Sequence, residues 1–187
     1  MCDDELMAAS SQIYLLHGKG GRPTGSVLQL EEQLRPSLPG FEFHRPSLAH
    51  GDPEVLAEDS LARLPELQIP QSAFVVGVSL GGLVAAKLQE SSRPDLRVIC
   101  ISSPTWADGV RVERKMPNRV AFYSSHDDVI QGRTADWPKL AEAYDLSWLT
   151  HDTDLHKDRL AKLIVAWIDG ENLAYVIKAL QITRAAR

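Results

Sequence analysis

Short apolar runs alternate with stretches of helical period along nearly the whole chain. Runs at 12–17, 41–46, 73–79, 97–102, 119–124 and 146–150 read as six strands. Several, such as Ala73-Phe74-Val75-Val76-Gly77-Val78, are apolar almost without interruption, the signature of a strand covered on both faces. Between the runs, the spacing predicts helices over 26–34, 53–64, 80–90, 135–144 and 156–168. In the last of these Leu160, Leu163, Ile164, Trp167 and Ile168 form one apolar stripe. A final segment repeats the stripe with Leu173, Val176, Ile177 and Leu180, and its Arg184 and Arg187 suit a helix C-terminus. This alternation predicts a three-layer α/β/α sandwich around a mostly parallel sheet of about six strands. Pro and Gly mark the junctions, yet no low-complexity tract or long linker interrupts them, so 1–187 reads as one domain without repeats.

Composition narrows the classes of partner. With 187 residues, 44% of them hydrophobic, the chain can build a substantial core, and its net charge of -5 comes without any concentrated basic face. Phosphate binding needs such a face, so neither nucleic acid nor an anionic membrane is an expected partner. The opening Met1-Cys2-Asp3-Asp4-Glu5 has no apolar core behind it and no later run is long enough to span a bilayer, so a cytoplasmic location is expected. Cys2 and Cys100 are far apart, which makes a structural disulfide or a zinc site unexpected.

One hydroxyl stands out against this background. Gly77-Val78-Ser79-Leu80-Gly81 fits G-x-S-x-G at a junction of predicted strand and predicted helix. The turn there must be sharp, and glycines flank the serine where a Cβ would strike neighbouring strands. The hydroxyl is then held out at the C-terminal edge of the sheet. The N–H groups and positive dipole end of the helix beginning at Leu80 point at the same place, where an oxyanion would form.

A serine hydroxyl is a poor nucleophile at neutral pH and needs a base, a group to orient the base and a second oxyanion donor. The donor is sought in Ile13-Tyr14-Leu15-Leu16-His17-Gly18-Lys19-Gly20-Gly21, where the N–H of Lys19 or Gly20 could face the serine. The same glycines imitate a phosphate loop, but Ser26 and Val27 stand where such a loop needs its lysine and hydroxyl, so nucleotide binding is rejected. Two adjacent carboxylates, Asp127 and Asp128, follow the predicted strand at 119–124 and either could orient the base. For the base, His156 opens a helix after a loop and is favoured over His151, which adjoins the end of the last predicted strand. A metal site from His151, Asp152, Asp154 and His156 lacks any helical ligand spacing and is disfavoured. His17, His44, His50 and His126 read as surface or loop residues.

The order Ser79, Asp127, His156, with His17-Gly18 ahead of them, resembles the α/β-hydrolase superfamily over nearly the whole chain, and in particular its small, lid-poor serine hydrolases. The resemblance implies a nucleophile elbow at 77–81 and an oxyanion turn at His17-Gly18-Lys19. It also implies that Asp127 is the acid, because Asp127-Asp128-Val129-Ile130 fits the family's Asp-x-hydrophobic-hydrophobic; Gln131 and Lys19 depart from the usual residues without removing a catalytic atom. The expected activity is hydrolysis of a carboxylic ester or thioester. Ser79 attacks, His156 carries the proton, Asp127 holds the imidazole, and the N–H groups of Leu80 and Lys19 stabilise the oxyanion. No cofactor and no metal are implied. Acyl transfer by the same triad and a non-catalytic binding protein on the same fold are the alternatives. The one sizeable insertion at the active edge, 104–118, is too short for a large lid, so short acyl groups are expected, and Lys19 and Arg22 could favour an anionic substrate.

Overall fold

The structure, a computed structural model, describes residues 11–182. Cys2, the acidic opening and the terminal Arg184 and Arg187 lie outside the described residues. Six strands, β1 (Ser11–Leu16), β2 (Phe41–His44), β3 (Phe74–Val78), β4 (Arg97–Ile101), β7 (Arg119–Tyr123) and β8 (Glu142–Asp145), form one sheet in the order β2-β1-β3-β4-β7-β8. Every neighbouring pair is parallel. A separate antiparallel hairpin joins β5 (Trp106–Ala107) to β6 (Val110–Arg111).

The pleat sorts each central strand between two cores. Ile13, Leu15, Phe74, Val76, Val78, Ile99 and Ile101 pack under α1 (Ser26–Leu34), α5 (Lys157–Ile168) and α6 (Leu173–Ile182). Their neighbours Tyr14, Leu16, Val75, Val98 and Cys100 pack under α2 (Ala57–Arg63), α3 (Leu80–Ser91) and α4 (Trp137–Leu140). Both faces being covered, β3 and β7 are buried at every residue, which is why they read as continuous apolar runs. The expected three-layer α/β/α sandwich with six parallel strands is the architecture found.

Chain order in the sheet reverses between β1 and β3. From β1 the chain steps outward to β2, then returns past β1 to β3 and proceeds the other way through β4, β7 and β8. Such a switch point opens a crevice at the C-terminal ends of the two strands, and the turns after β1 and β3 line it.

Three elements differ from the sequence expectation. The sixth strand is Glu142–Asp145, not 146–150, and the helix expected over 135–144 is confined to Trp137–Leu140. Leu146, Trp148 and Leu149 are buried in the α5-side core although they form no strand, so their apolar character records the burial of a loop. The helix expected from residue 53 begins at Ala57, and after Arg63 the chain tightens into a 3-10 turn, Leu64–Leu67, at Pro65, which has no N–H to give. Within 104–118 the β5–β6 hairpin turns on Asp108 (φ 44°) and Gly109 (φ 82°), the positive-φ pair that a two-residue hairpin requires. No helix among the described residues is long and apolar enough to cross a membrane.

Candidate active site

Ser79 is the N-cap of α3, with φ 52° and ψ -122°, a conformation that costs a non-glycine residue energy and persists because the surroundings over-determine it. Its N–H donates to Ile101 C=O (2.9 Å), while its own C=O accepts from Gly82 N–H (3.0 Å). The glycines around it are required by close approach. A Cβ on Gly77 would strike the backbone of Gly81 and Gly82, and one on Gly81 the carbonyl oxygens of Leu16 and His17. Helix α3 therefore starts directly over the ends of β1 and β3, and Leu80 N–H, in its first turn, has no partner within the helix.

The turn after β1 lies against this elbow. A Cβ on Gly18 would sit 3.0 Å from Ser79 Cβ and 3.6 Å from Ser79 Oγ, so a side chain there would cover the hydroxyl. Gly20 N–H donates to His50 C=O (2.8 Å) and Gly21 N–H to Gly18 C=O (3.0 Å). Lys19 N–H has no backbone acceptor among the described residues.

Two histidines hold this turn from behind, and although the sequence read them as surface or loop residues, neither is at the surface. His17 is 1% exposed and His50 0%. Nδ1 of His17 meets Gly18 C=O (2.9 Å), which can only accept, so Nδ1 carries the proton and Nε2 accepts from Leu48 N–H (3.2 Å). Likewise Nε2–H of His50 donates to His17 C=O (2.8 Å), and Nδ1 accepts from the Ser60 hydroxyl (2.6 Å). Both rings are thus neutral donor–acceptor bridges. Burial, the largest cause, pushes the His17 pKa below its ordinary value and lowers that of His50 to about 4, where His17 and Lys19 nearby also oppose a positive charge.

The acid and the base come from the other side of the crevice. Asp127 is 3% exposed in the loop after β7. Its Oδ1 accepts from Val129 N–H (3.0 Å) and Ile130 N–H (3.4 Å), and its Oδ2 meets His151 Nδ1 at 3.0 Å. Asp128 is exposed. His156 does not meet Asp127. Its ring stands 5.4 Å from that of Trp148 and its Nε2 lies 3.2 Å from Thr150 Oγ1. The two histidines offered by the sequence are thus held differently, His151 by the Asp127 carboxylate and His156 beside Trp148 and Thr150. The physical reason is the end of β8 at Asp145, which leaves His151 well out in the loop, free to reach the crevice. Asp152 then caps a 3-10 turn, Thr153–His156, that carries His156 onto the start of α5. Ser102 (φ 45°) braces the loop by donating its hydroxyl to Thr150 C=O (3.2 Å), a contact no sequence signal announced.

Gly18, Lys19, Val78, Ser79, His151 and Thr153 line one open cavity of about 230 Å³. The candidate nucleophile, the imidazole-bearing His151 and the turn after β1 thus line the same small space. Lys19 Nζ is paired with Asp108 Oδ2 (3.0 Å), so its charge, expected to await an anionic substrate, is already met by the hairpin. Among the described residues, no three His, Cys, Asp or Glu side chains gather as a group able to hold a metal.

No protein-family model matches the chain, and no curated protein matches its sequence. Solved structures do match its shape. The hydrolase MGS-MChE2, from a metagenome of sediments of the Mar Chica lagoon in Morocco, superposes with a TM-score of 0.67 at 16% identity, covering 86% of this chain and 91% of that one. Alpha/beta hydrolase domain-containing protein 10 from mouse gives 0.64 at 12% identity, with 85% and 88% covered. Est1E from Butyrivibrio proteoclasticus, bound to ferulic acid, gives 0.64 at 12% identity, with 86% and 89% covered. The chain has the α/β-hydrolase fold.

Proposed function

We propose that the chain is a serine hydrolase that cleaves a carboxylic ester or thioester through an acyl-enzyme, with Ser79 as nucleophile, His151 as base and Asp127 as orienting acid. The observation that carries this reading is the hydrogen bond that His151 Nδ1–H donates to the buried Asp127 carboxylate, whose other oxygen accepts from two backbone N–H groups, with that imidazole and the strained Ser79 lining one cavity. With Nδ1–H committed to Asp127, Nε2 is the nitrogen left to take the serine proton. Ser79 Oγ attacks the acyl carbon and Nε2 takes its proton. The imidazolium then protonates the leaving oxygen or sulfur. A water attacks the acyl-serine by the same route in reverse, returning the proton to Ser79. Asp127 stays ionised throughout, fixing the tautomer and offsetting the imidazolium charge. The N–H groups of Leu80 and Lys19 are the oxyanion donors, a pair that has no reorganisation to undergo because the elbow and the His17–His50 bridges already hold it.

A cavity of about 230 Å³ suits a short acyl group. The test is turnover of p-nitrophenyl acetate, butyrate and palmitate by wild type and Ser79→Ala. Acetate and butyrate should be cleaved faster than palmitate, and Ser79→Ala should lose activity by up to about a millionfold without loss of fold. A folded Ser79→Ala protein retaining most of the activity ends the reading.

A further inference from the structure

We propose that Trp106, Arg111 and Arg133 form a subsite for an anionic group, a carboxylate above all, carried by the acyl part of the substrate. The inference rests on the hydrolase reading above and adds to it the charge of the compound hydrolysed. Trp106 opens β5, three residues after Ser103, whose hydroxyl lies against Gly77 C=O in the strand that leads to Ser79. Its indole is 42% exposed, in a chain whose other tryptophans are buried or half-buried. Both guanidinium carbons, of Arg111 and of Arg133, stand 5.6 Å from the centre of its ring. Neither arginine has a carboxylate partner among the described residues, although acidic side chains outnumber basic ones, 25 to 20.

The platform is braced from both sides of the candidate active site. Thr105 donates its N–H (2.6 Å) and its hydroxyl (2.8 Å) to Arg133 C=O, and Arg133 Nη2 donates to Val129 C=O (3.1 Å), the residue whose N–H is bound by Asp127. On the other side Asp108, two residues beyond Trp106, holds Lys19 of the turn. That pair also decides which cations face an anion. Lys19 already has a carboxylate partner, whereas the guanidiniums of Arg111 and Arg133 keep donors in the fork geometry that a carboxylate accepts. The exposed ring adds an apolar surface beside them, so the ligand expected is a short acyl chain ending in a carboxylate.

The experiment compares kcat/KM for p-nitrophenyl butyrate and mono-p-nitrophenyl succinate, which differ in the terminal charge, in wild type, Arg111→Gln and Arg133→Gln. Wild type should favour the succinate ester, and each variant should lower the succinate-to-butyrate ratio about tenfold, through KM for the succinate ester. A ratio that stays within twofold of wild type in both variants overturns the subsite. A second readout does not depend on turnover. In Ser79→Ala, titration with glutarate should give a saturable tryptophan fluorescence change that is lost with Trp106→Phe and weakened by either arginine substitution. If no ester is turned over yet this change appears, the hydrolase reading fails and the anion subsite stands; if esters are cleaved but the change and the ratio effect are both missing, the subsite fails alone.

Discussion

Acid should loosen this protein through one buried ring. His50 is fully buried between Ser60 and the turn that carries Lys19, and its pKa falls from 6.5 to about 4 on folding. The unfolded chain therefore takes up a proton near pH 6.5, while the native one resists until about pH 4. More protons are bound by the unfolded state throughout that window, so stability is complete above it and falls as pH drops through it. At about 1.4 kcal/mol per pH unit, the loss from His50 alone approaches about 3 kcal/mol at pH 4. His17 adds in the same direction, because its Nε2 accepts from Leu48 N–H and a second ring proton would face that donor. The assay is urea unfolding at intervals from pH 7.5 to 4.5 for wild type and His50→Gln, whose amide can still donate to His17 C=O but cannot titrate. The variant should be less stable at pH 7.5 and should show a distinctly flatter fall below pH 6.5. Parallel curves for the two proteins would refute the assignment of acid sensitivity to His50.

Three further substitutions probe the elbow and the acid. Asp127→Asn should cost orders of magnitude in kcat for p-nitrophenyl acetate and Asp128→Asn little, since Asp127 alone meets His151; equal mild losses would remove Asp127 from the mechanism. Gly77→Ala should destabilise the fold by about 1–3 kcal/mol in urea unfolding, because its Cβ meets backbone atoms of Gly81 and Gly82 that cannot turn aside, and an unchanged midpoint would contradict the packing described.

The elbow was legible because three signals coincide within a few residues: the apolar run of β3, the glycines at 77 and 81, and the helical period that starts at Leu80. Between Asp127 and Asp128 the residues alone left the choice open and only the family resemblance preferred Asp127; the two share their chemistry and differ in burial, which sequence does not display. The sequence preference for His156 over His151 traces to β8. An edge strand reading Glu142-Ala143-Tyr144-Asp145, exposed at both ends, carries no apolar run, whereas the buried loop Leu146-Ser147-Trp148-Leu149 imitates one. Placing the strand there shortened the loop and made His151 look like a strand-end residue. His17 and His50 were missed for a related reason. Their partners, Leu48, Ser60 and the Gly18 and His17 carbonyls, are joined by the β1–β2 pairing and the chain that follows, not by any local pattern. The Asp108-Gly109 pair was a usable hairpin signal, but strands of two residues give too little alternation to support it.

The central claim, that Ser79 is activated by His151, is tested most directly by the rate and the position of fluorophosphonate labelling in wild type, His151→Ala and His156→Ala. The account predicts modification of Ser79 in wild type, at least about a hundredfold slower labelling in His151→Ala, and a near wild-type rate in His156→Ala. Label on any residue other than Ser79, or slowing in His156→Ala with His151→Ala unaffected, would contradict it.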